Sequence, residues 1–339
     1  MIDQKKLQEA YDNDGFYSLQ LEVGDICNQA CLYCYMNALP EETNRLTDSD
    51  ISGIIDDCDK IGISAIEWLG GEPLFRRSIF EHMAHARDLG LRNNMWTGGL
   101  VLADREILNK TVALTAHGII SVHVSTVDPD LYRRLHPGRT EADLYAIIEA
   151  VKEILATGYP PEQMLNSVTF TGLQSADDMI ATIDYFEENF GIRTSLNVYH
   201  TYLRPGHEDN ELQKLIPDKK SVARVYKRYG RQYGLDWYPM NCVSSQYCSA
   251  TVAVLCDGTV TPCATVRDPA APDIHSDGRF AEIVDHHRNE LIFKKFKDIR
   301  NRPEECRECR IADCCWGCRS RAWAAGLGLY GKDPRCFRS

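Results

Sequence analysis

From about residue 17 to 235, short apolar runs alternate with longer amphipathic ones six times. FYSLQLEV leads to LTDSDISGIIDDCDKIG, ISAIEWLGG to RSIFEHMAHARDLG, and LRNNMWTGG to a helix from about Asp104. GIISVHVSTVD leads to EADLYAIIEAVKEILATG, MLNSVTFTG to SADDMIATIDYFEENFG, and RTSLNVYHTY to DKKSVARVYKRYGRQYG. Repeated strand–helix units pack as a parallel sheet with right-handed crossovers, helices covering one face. Six units fall short of the eight that close a (β/α) barrel. The pattern predicts an α/β fold, a partial (β/α)6 TIM-like barrel with its mouth at the C-terminal strand ends. Thr47 with Asp50, and Ser78 with Glu81, are spaced as capping boxes, and Gly90 marks a helix stop.

The 14 cysteines are unevenly placed. Three lie at 27, 31 and 34, Cys58 stands alone, and ten fall between Cys242 and Cys336. The gap predicts two metal-bearing regions flanking a metal-free scaffold. The polar start MIDQKKLQEAYDNDG carries no secretion signal, and no run of apolar residues is long enough to span a membrane. A reducing, cytoplasmic setting follows as the expectation, and there cysteines point to metal or redox chemistry rather than disulfides. A net charge of −11 argues against a general nucleic-acid or anionic-membrane binder. Shorter elements after about Pro239 predict a small C-terminal cysteine-rich domain, residues 237–339 against 1–236.

GDICNQACLYCYMN gives the spacing C-x3-C-x2-C directly after the first strand. Three thiolates hold three corners of a cubane iron–sulfur cluster, whereas most such clusters take four cysteines. The missing ligand leaves one iron open, as catalytic zinc sites leave an open position. Zinc, or thiols filling a core, is the competing reading. EWLGGEPLF ends the second strand with Gly70, Gly71, Glu72 and Pro73. Glycines let backbone approach a ligand closely, and a carboxylate accepts from an ammonium.

CNQACLYC, with Tyr33 before the third cysteine, resembles the radical S-adenosylmethionine (SAM) enzymes. The resemblance implies that Cys27, Cys31 and Cys34 ligate a [4Fe–4S] cluster whose open iron chelates SAM and cleaves it to a 5′-deoxyadenosyl radical. It implies that Gly70, Gly71, Glu72 and Pro73 hold the SAM amino group. Thr97 and Ser125, at the third and fourth strand ends, are carried over as contacts to the rest of SAM. Asp128, Thr169, His123, Tyr199, His200 and Tyr202 are further candidates near the cavity.

The later cysteines run Cys242-x5-Cys248-x9-Gly258-x4-Cys263, then Cys306-x2-Cys309-x5-Cys315-x2-Cys318-x17-Cys336. This resembles the SPASM extension of radical SAM enzymes. It implies two auxiliary [4Fe–4S] clusters, one on Cys242, Cys248, Cys263 and Cys318, the other on Cys306, Cys309, Cys315 and Cys336. Cys314 competes with Cys315, and zinc competes for the Cys306–Cys318 stretch. Cys58 and Cys256 fit no pattern and read as buried free thiols. The arginines from Arg300 to Arg338 are expected to offset thiolate charge and to pair with Glu304, Glu305 and Glu308.

The resemblance implies hydrogen abstraction from a substrate, followed by electron removal through the auxiliary clusters. The leading expectation is peptide or protein modification, with flavodoxin or ferredoxin as electron donor. Only 26 residues precede Cys27, too few for the separate leader-binding domain of many peptide maturases. Ala264 stands where sulfatase maturases carry an aspartate, which disfavours that activity. Oxidation of a small molecule (sugar, aminocyclitol or haem precursor) is the alternative. A non-catalytic iron–sulfur or zinc scaffold is the third.

Overall fold

Six strands lie side by side in chain order, all parallel: β1 (Ser18–Glu22), β2 (Ala65–Leu69), β3 (Arg92–Thr97), β4 (Ile119–His123), β5 (Met164–Phe170) and β6 (Arg193–Val198). The computed structural model describes residues 2–36, 38, 44–200, 210–235, 239–240 and 243–338. The helices to residue 231 are α1 (Gln4–Asp12), α2 (Asp48–Lys60), α3 (Ile79–Asp88), α4 (Arg105–Leu114), α5 (Pro129–Leu135), α6 (Glu141–Ala156), α7 (Ala176–Phe190), α8 (Asn210–Gln213) and α9 (Lys219–Arg231). The open (β/α)6 arrangement expected from the alternation is the one observed.

Strand alternation separates two faces. Leu19, Leu21, Ile66, Trp68, Met95, Ile120 and Val122 enter the main core with Ile51 and Ile55 of α2, Met83 of α3 and Ile147 and Val151 of α6. The opposite, concave face carries Ser18, Gln20, Glu22, Glu67, Asn94, Trp96, Ser121, His123, Ser167 and Thr169. A sheet with one oily face and one polar face needs helices on only one side. The polar side is left to line a cavity.

Capping decides where the helices begin. Thr47 and Asp50 close the expected reciprocal box on α2, Asp50 N–H to Thr47 Oγ1 at 3.1 Å and Thr47 N–H to Asp50 Oδ2 at 2.8 Å. The box expected at Ser78 does not form. Ser78 Oγ donates instead to Asp48 Oδ1 at 2.7 Å, the carboxylate that also takes Arg76, so its hydroxyl joins two helix starts. Helix α5, absent from the sequence reading, starts at Asp128-Pro129. Asp128 Oδ1 accepts the Leu131 N–H at 2.8 Å, which makes the candidate Asp128 an N-cap.

The sheet also runs on past β1. Strand β7 (Thr251–Val254) pairs parallel with β1, and β8 (Val260–Thr261) pairs antiparallel with β7, giving the order β6-β5-β4-β3-β2-β1-β7-β8. The cysteine-rich region thus extends the barrel sheet; residues 236–238 lie outside those described. At the other sheet edge, Cys315, Cys336 and Phe337 pack on a second core of Val168, Phe170, Leu196, Tyr226 and Tyr229. The C-terminal segment is therefore seated against both edges of the open barrel. No helix is long and apolar enough to cross a membrane.

Candidate functional site

The cysteine loop leaves β1 and is held against the end of β2. Val23 N–H bonds to Leu69 O at 2.9 Å, Gly71 N–H to Gly24 O at 2.9 Å, and Glu72 N–H to Ile26 O at 2.7 Å. This backbone pairing carries the sheet register out to Cys27. It requires the glycine pair: a Cβ on Gly71 would overlap the Ile26 carbonyl, and one on Gly70 the Gly24 carbonyl. Gly70 also has φ +134°, where only glycine is unstrained. Cys27, Cys31 and Cys34 are each half-buried by area, and their thiols face one another electrostatically. Burial pushes the Cys27 thiol up to about 12, with Glu72 and Cys34 pushing the same way. Cys31 is raised by burial and by Cys34 and Cys27.

Glu72 is 3% exposed and faces the same space. Its carboxylate accepts from Thr97 Oγ1 at 2.8 Å, Gly98 N–H at 2.8 Å and Leu74 N–H at 3.2 Å. Burial still pushes it up to about 7, and among the described residues it makes no ion pair. Thr97 is thus bonded to Glu72, and Pro73 begins the turn Pro73–Phe75 that Glu72 caps. Gln29, between Cys27 and Cys31, locks the loop by donating to Gly98 O at 2.6 Å and accepting from Tyr132 at 3.2 Å.

Three thiols and one buried carboxylate therefore lie close together, with Arg139 lining the cavity beside Cys27 and, among the described residues, no ion pair to Glu72. The donor set fits a group that brings positive charge to the sulfurs and an ammonium to the carboxylate. An iron–sulfur cluster binding SAM answers both needs: Cys27, Cys31 and Cys34 would hold the iron, and Glu72 would take the amino group.

Behind the loop lies a polar knot the sequence did not announce. The Tyr33 hydroxyl sits 2.7 Å from His123 Nε2, 2.9 Å from His136 Nε2 and 3.0 Å from Ser125 Oγ. His136 Nδ1–H donates to Tyr132 O at 3.0 Å. Its Nε2 is then the acceptor for the Tyr33 proton, and the phenol oxygen accepts from His123. Burial lowers both rings, His123 to about 3 and His136 to about 4, so they are neutral. Ser125 is fully buried, bonded to Tyr33, to His123 at 3.1 Å and to the Thr169 N–H at 3.1 Å. A cofactor contact there would have to displace one of these bonds. Changing Tyr33 to Phe should lower stability by about 1–3 kcal/mol, because two buried histidines lose their shared partner. Urea unfolding of the reconstituted protein checks this, and an unchanged midpoint would refute the network's importance.

Four of the C-terminal cysteines gather at one place. Cys306, Cys309, Cys315 and Cys336 line one cavity of about 800 Å³. Burial raises the Cys306 thiol, Arg319 opposes, and Cys336, Cys315 and Cys309 add to the rise. Cys314 lies off this cavity and points its thiol at Ile311 O, 3.5 Å away. Cys263, pushed up to about 11 by burial, has Cys318 and Glu67 as charged neighbours, and Cys248 shares Arg319 with Cys318. Cys242 lies outside the described residues, as does Tyr202. Cys58 is buried in the main core, whereas Cys256 is only half-buried, its N–H on Glu22 at 3.1 Å.

Of the remaining candidates, His200 sits at the join of barrel and C-terminal segment and Tyr199 inside the barrel. His200 is buried with Nε2 3.3 Å from Ser320 Oγ, and Tyr199 packs with Tyr33 and Leu135. The concave face supplies further joints. Glu67 takes Tyr247 and Ser18, and Glu22 binds Arg267 at 2.6 Å. The expected Arg–Glu pairs are replaced: Glu305 pairs with Lys332 at 2.9 Å, while Arg319 and Arg321 are buried. Nothing in residue type or spacing signalled Tyr247, Arg267 or Asp333.

Comparison with known proteins places this geometry. The Radical SAM superfamily model matches residues 21–186. The chain is 26% identical to the PqqA peptide cyclase of Xanthomonas campestris pv. campestris, over 95% of this chain and 87% of that protein. It is 24% identical to the probable GTP 3′,8-cyclase of Methanosarcina mazei, over 74% of this chain and 78% of that protein. Its fold superposes on Streptococcus suis SuiB bound to S-adenosylmethionine with a TM-score of 0.67 at 17% identity, covering 98% of this chain and 80% of that one. A second SuiB structure, bound to precursor peptide SuiA, gives 0.66 at 16% identity, covering 98% and 79%. With its cysteine loop, its open barrel and these relatives, the chain is an enzyme of the radical SAM superfamily.

Proposed function

We propose that this enzyme oxidises a peptide, using two auxiliary iron–sulfur clusters of the SPASM type. The observation that carries the reading is the cavity ringed by Cys306, Cys309, Cys315 and Cys336. Four thiols leave no open position, so that set suits electron acceptance rather than substrate binding. Cys248, Cys263 and Cys318 form the second set, with Cys242 as the fourth ligand by spacing. When bound, the first cluster and SAM supply a 5′-deoxyadenosyl radical that takes a hydrogen atom from the substrate.

The residues do the rest. Cys27, Cys31 and Cys34 bind the iron, Glu72 orients the SAM ammonium, and Thr97 and Gly98 hold Glu72 in place. The C-terminal segment joins the polar face through Tyr247 on Glu67 and Arg267 on Glu22. A peptide is favoured because the likeness to PqqA peptide cyclase spans 95% of the chain, including the cysteine-rich end. A small-molecule substrate is favoured instead by the likeness to a GTP cyclase, over a smaller share. A non-catalytic scaffold is set aside by the family. We place the enzyme in the cytoplasm with a flavodoxin or ferredoxin donor. Deuterium transfer from labelled peptides into 5′-deoxyadenosine tests the peptide reading, and transfer only from labelled small molecules would overturn it.

Glu72 gives a pH test. Its folded value, about 7, lies above its ordinary 4.5, so the folded chain keeps a proton that the unfolded chain loses. Across that window rising pH costs stability, and binding an ammonium must expel the proton. SAM affinity should therefore rise with pH by up to about tenfold per unit below 7 and level above it. Calorimetric titration of the reconstituted enzyme checks this. A Glu72→Gln variant with the same pH slope would refute the assignment.

A further inference from the structure

Arg319 opens the short helix Arg319–Ala324, directly after Cys318, and is 2% exposed. One nitrogen, Nη1, donates to Leu329 O at 2.9 Å and Gly331 O at 2.6 Å. The guanidinium carbon lies 4.3 Å from the centre of the Phe296 ring. The other two nitrogens, Nε and Nη2, are buried and meet no acceptor. The one carboxylate nearby is already committed. Asp333 takes Arg321 Nη2 at 2.7 Å and Nε at 3.1 Å, the Cys318 N–H at 2.8 Å and the Arg335 N–H at 2.9 Å. Among the described residues Arg319 makes no ion pair.

A buried guanidinium with half its fork unused is costly unless an anion meets it. The negative charges that act on it are the committed Asp333 first, then three sulfurs: Cys318 and Cys248 of one set and Cys306 of the other. Cys248 packs against the cluster of Phe293, Phe296 and Trp316, so the ring that Arg319 stacks on belongs to the same packed group as one of these thiols. A cation fixed on one side by carbonyls and on another by an aromatic face keeps two buried nitrogens for a further acceptor.

We infer that Arg319 is the shared counter-ion and hydrogen-bond donor of the two C-terminal thiol sets, coupling the clusters they hold into one electron-accepting unit. This rests on the proposal that both sets carry iron–sulfur clusters. Its Nε–H and Nη2–H donate to cluster sulfur, and its charge stabilises the reduced state. Such hydrogen bonds and charges are what a protein uses to set a cluster's potential. Arginine suits the place because its planar fork can serve two acceptors at once and never loses its proton.

The test is spectroscopic redox titration of the reconstituted enzyme, following each cluster by its paramagnetic signal. Arg319→Gln should move both auxiliary potentials downward and leave unchanged the potential of the cluster on Cys27, Cys31 and Cys34. Arg319→Lys should recover most of the shift. Unmoved auxiliary potentials in an Arg319→Gln protein of full iron and sulfide content would overturn the inference. Should that variant fail to hold iron, wild-type enzyme grown on 15N-arginine decides. A nitrogen hyperfine coupling is expected on the reduced auxiliary clusters, and its absence overturns the role of Arg319. Wild-type enzyme lacking C-terminal iron and sulfide would instead overturn the underlying two-cluster reading, and this inference with it.

Discussion

Replacing Cys27, Cys31 and Cys34 together with alanine is expected to abolish SAM cleavage while sparing the C-terminal iron. The three thiols sit on a loop pinned just ahead of Cys27 by the Gly71 and Glu72 pairing and within the loop by Gln29 on Gly98. None of these pins uses a thiol, so the loop should keep its course when the sulfurs go. Iron should fall by about a third, the share of one cluster in three. Production of 5′-deoxyadenosine under dithionite should fall to background. Iron assay and chromatography of the quenched reaction give both readings. Cleavage retained in the triple variant would end the assignment of this loop as the reactive centre.

The barrel was legible because its signals are local. Strand and helix periods alternate cleanly, and the Thr47–Asp50 box is written in four residues. What escaped depends on contacts between distant segments. Strand β7 is only four residues long and packs beside β1 because Thr251 to Val254 fall opposite Ser18 to Leu21. Its sequence, TVAV, carries no mark of its partner. Ser78 looked like a cap, but a carboxylate from another helix outbid the local backbone for its hydroxyl.

The candidate site divides the same way. Cys27, Cys31, Cys34 and the GGEP turn announce themselves by spacing, and so does the choice between Cys314 and Cys315, where x5 favours the thiol now seen in the cavity. Tyr33 was noticed as an aromatic, yet its role as the hub of His123, His136 and Ser125 spans 103 positions of sequence. His136 gave no signal at all, lying in an ordinary helix end before Pro137. A buried polar knot satisfies each member through the others, so no single residue reveals it.

The Arg321–Asp333 pair carries the largest stability prediction. Both side chains are 2% exposed, and they meet through Arg321 Nη2 and Nε. Asp333 also accepts the backbone N–H groups of Cys318 and Arg335, one a proposed ligand and the other the neighbour of Cys336. One carboxylate thus ties the strand of thiols near 318 to the chain end near 336. Asp333→Ala strands a buried guanidinium and two N–H donors, and should cost about 3–5 kcal/mol. Although burial pushes the Asp333 carboxyl up, Arg321 and the two N–H donors bring it below its ordinary 3.8. Its contribution is therefore fully present above that value and is lost only as pH falls through the folded one, so the deficit should be constant across neutral pH. The variant should shed C-terminal iron and lose substrate oxidation, yet keep dithionite-driven SAM cleavage, since the cysteine loop makes no bond to Asp333. Converting both partners, Asp333→Leu with Arg321→Met, removes the stranded charge and should recover a large part of the loss. Thermal midpoints and iron content of the single and double variants measure this. A double variant no more stable than Asp333→Ala would show that the carboxylate acts through its backbone N–H bonds, and not through the ion pair.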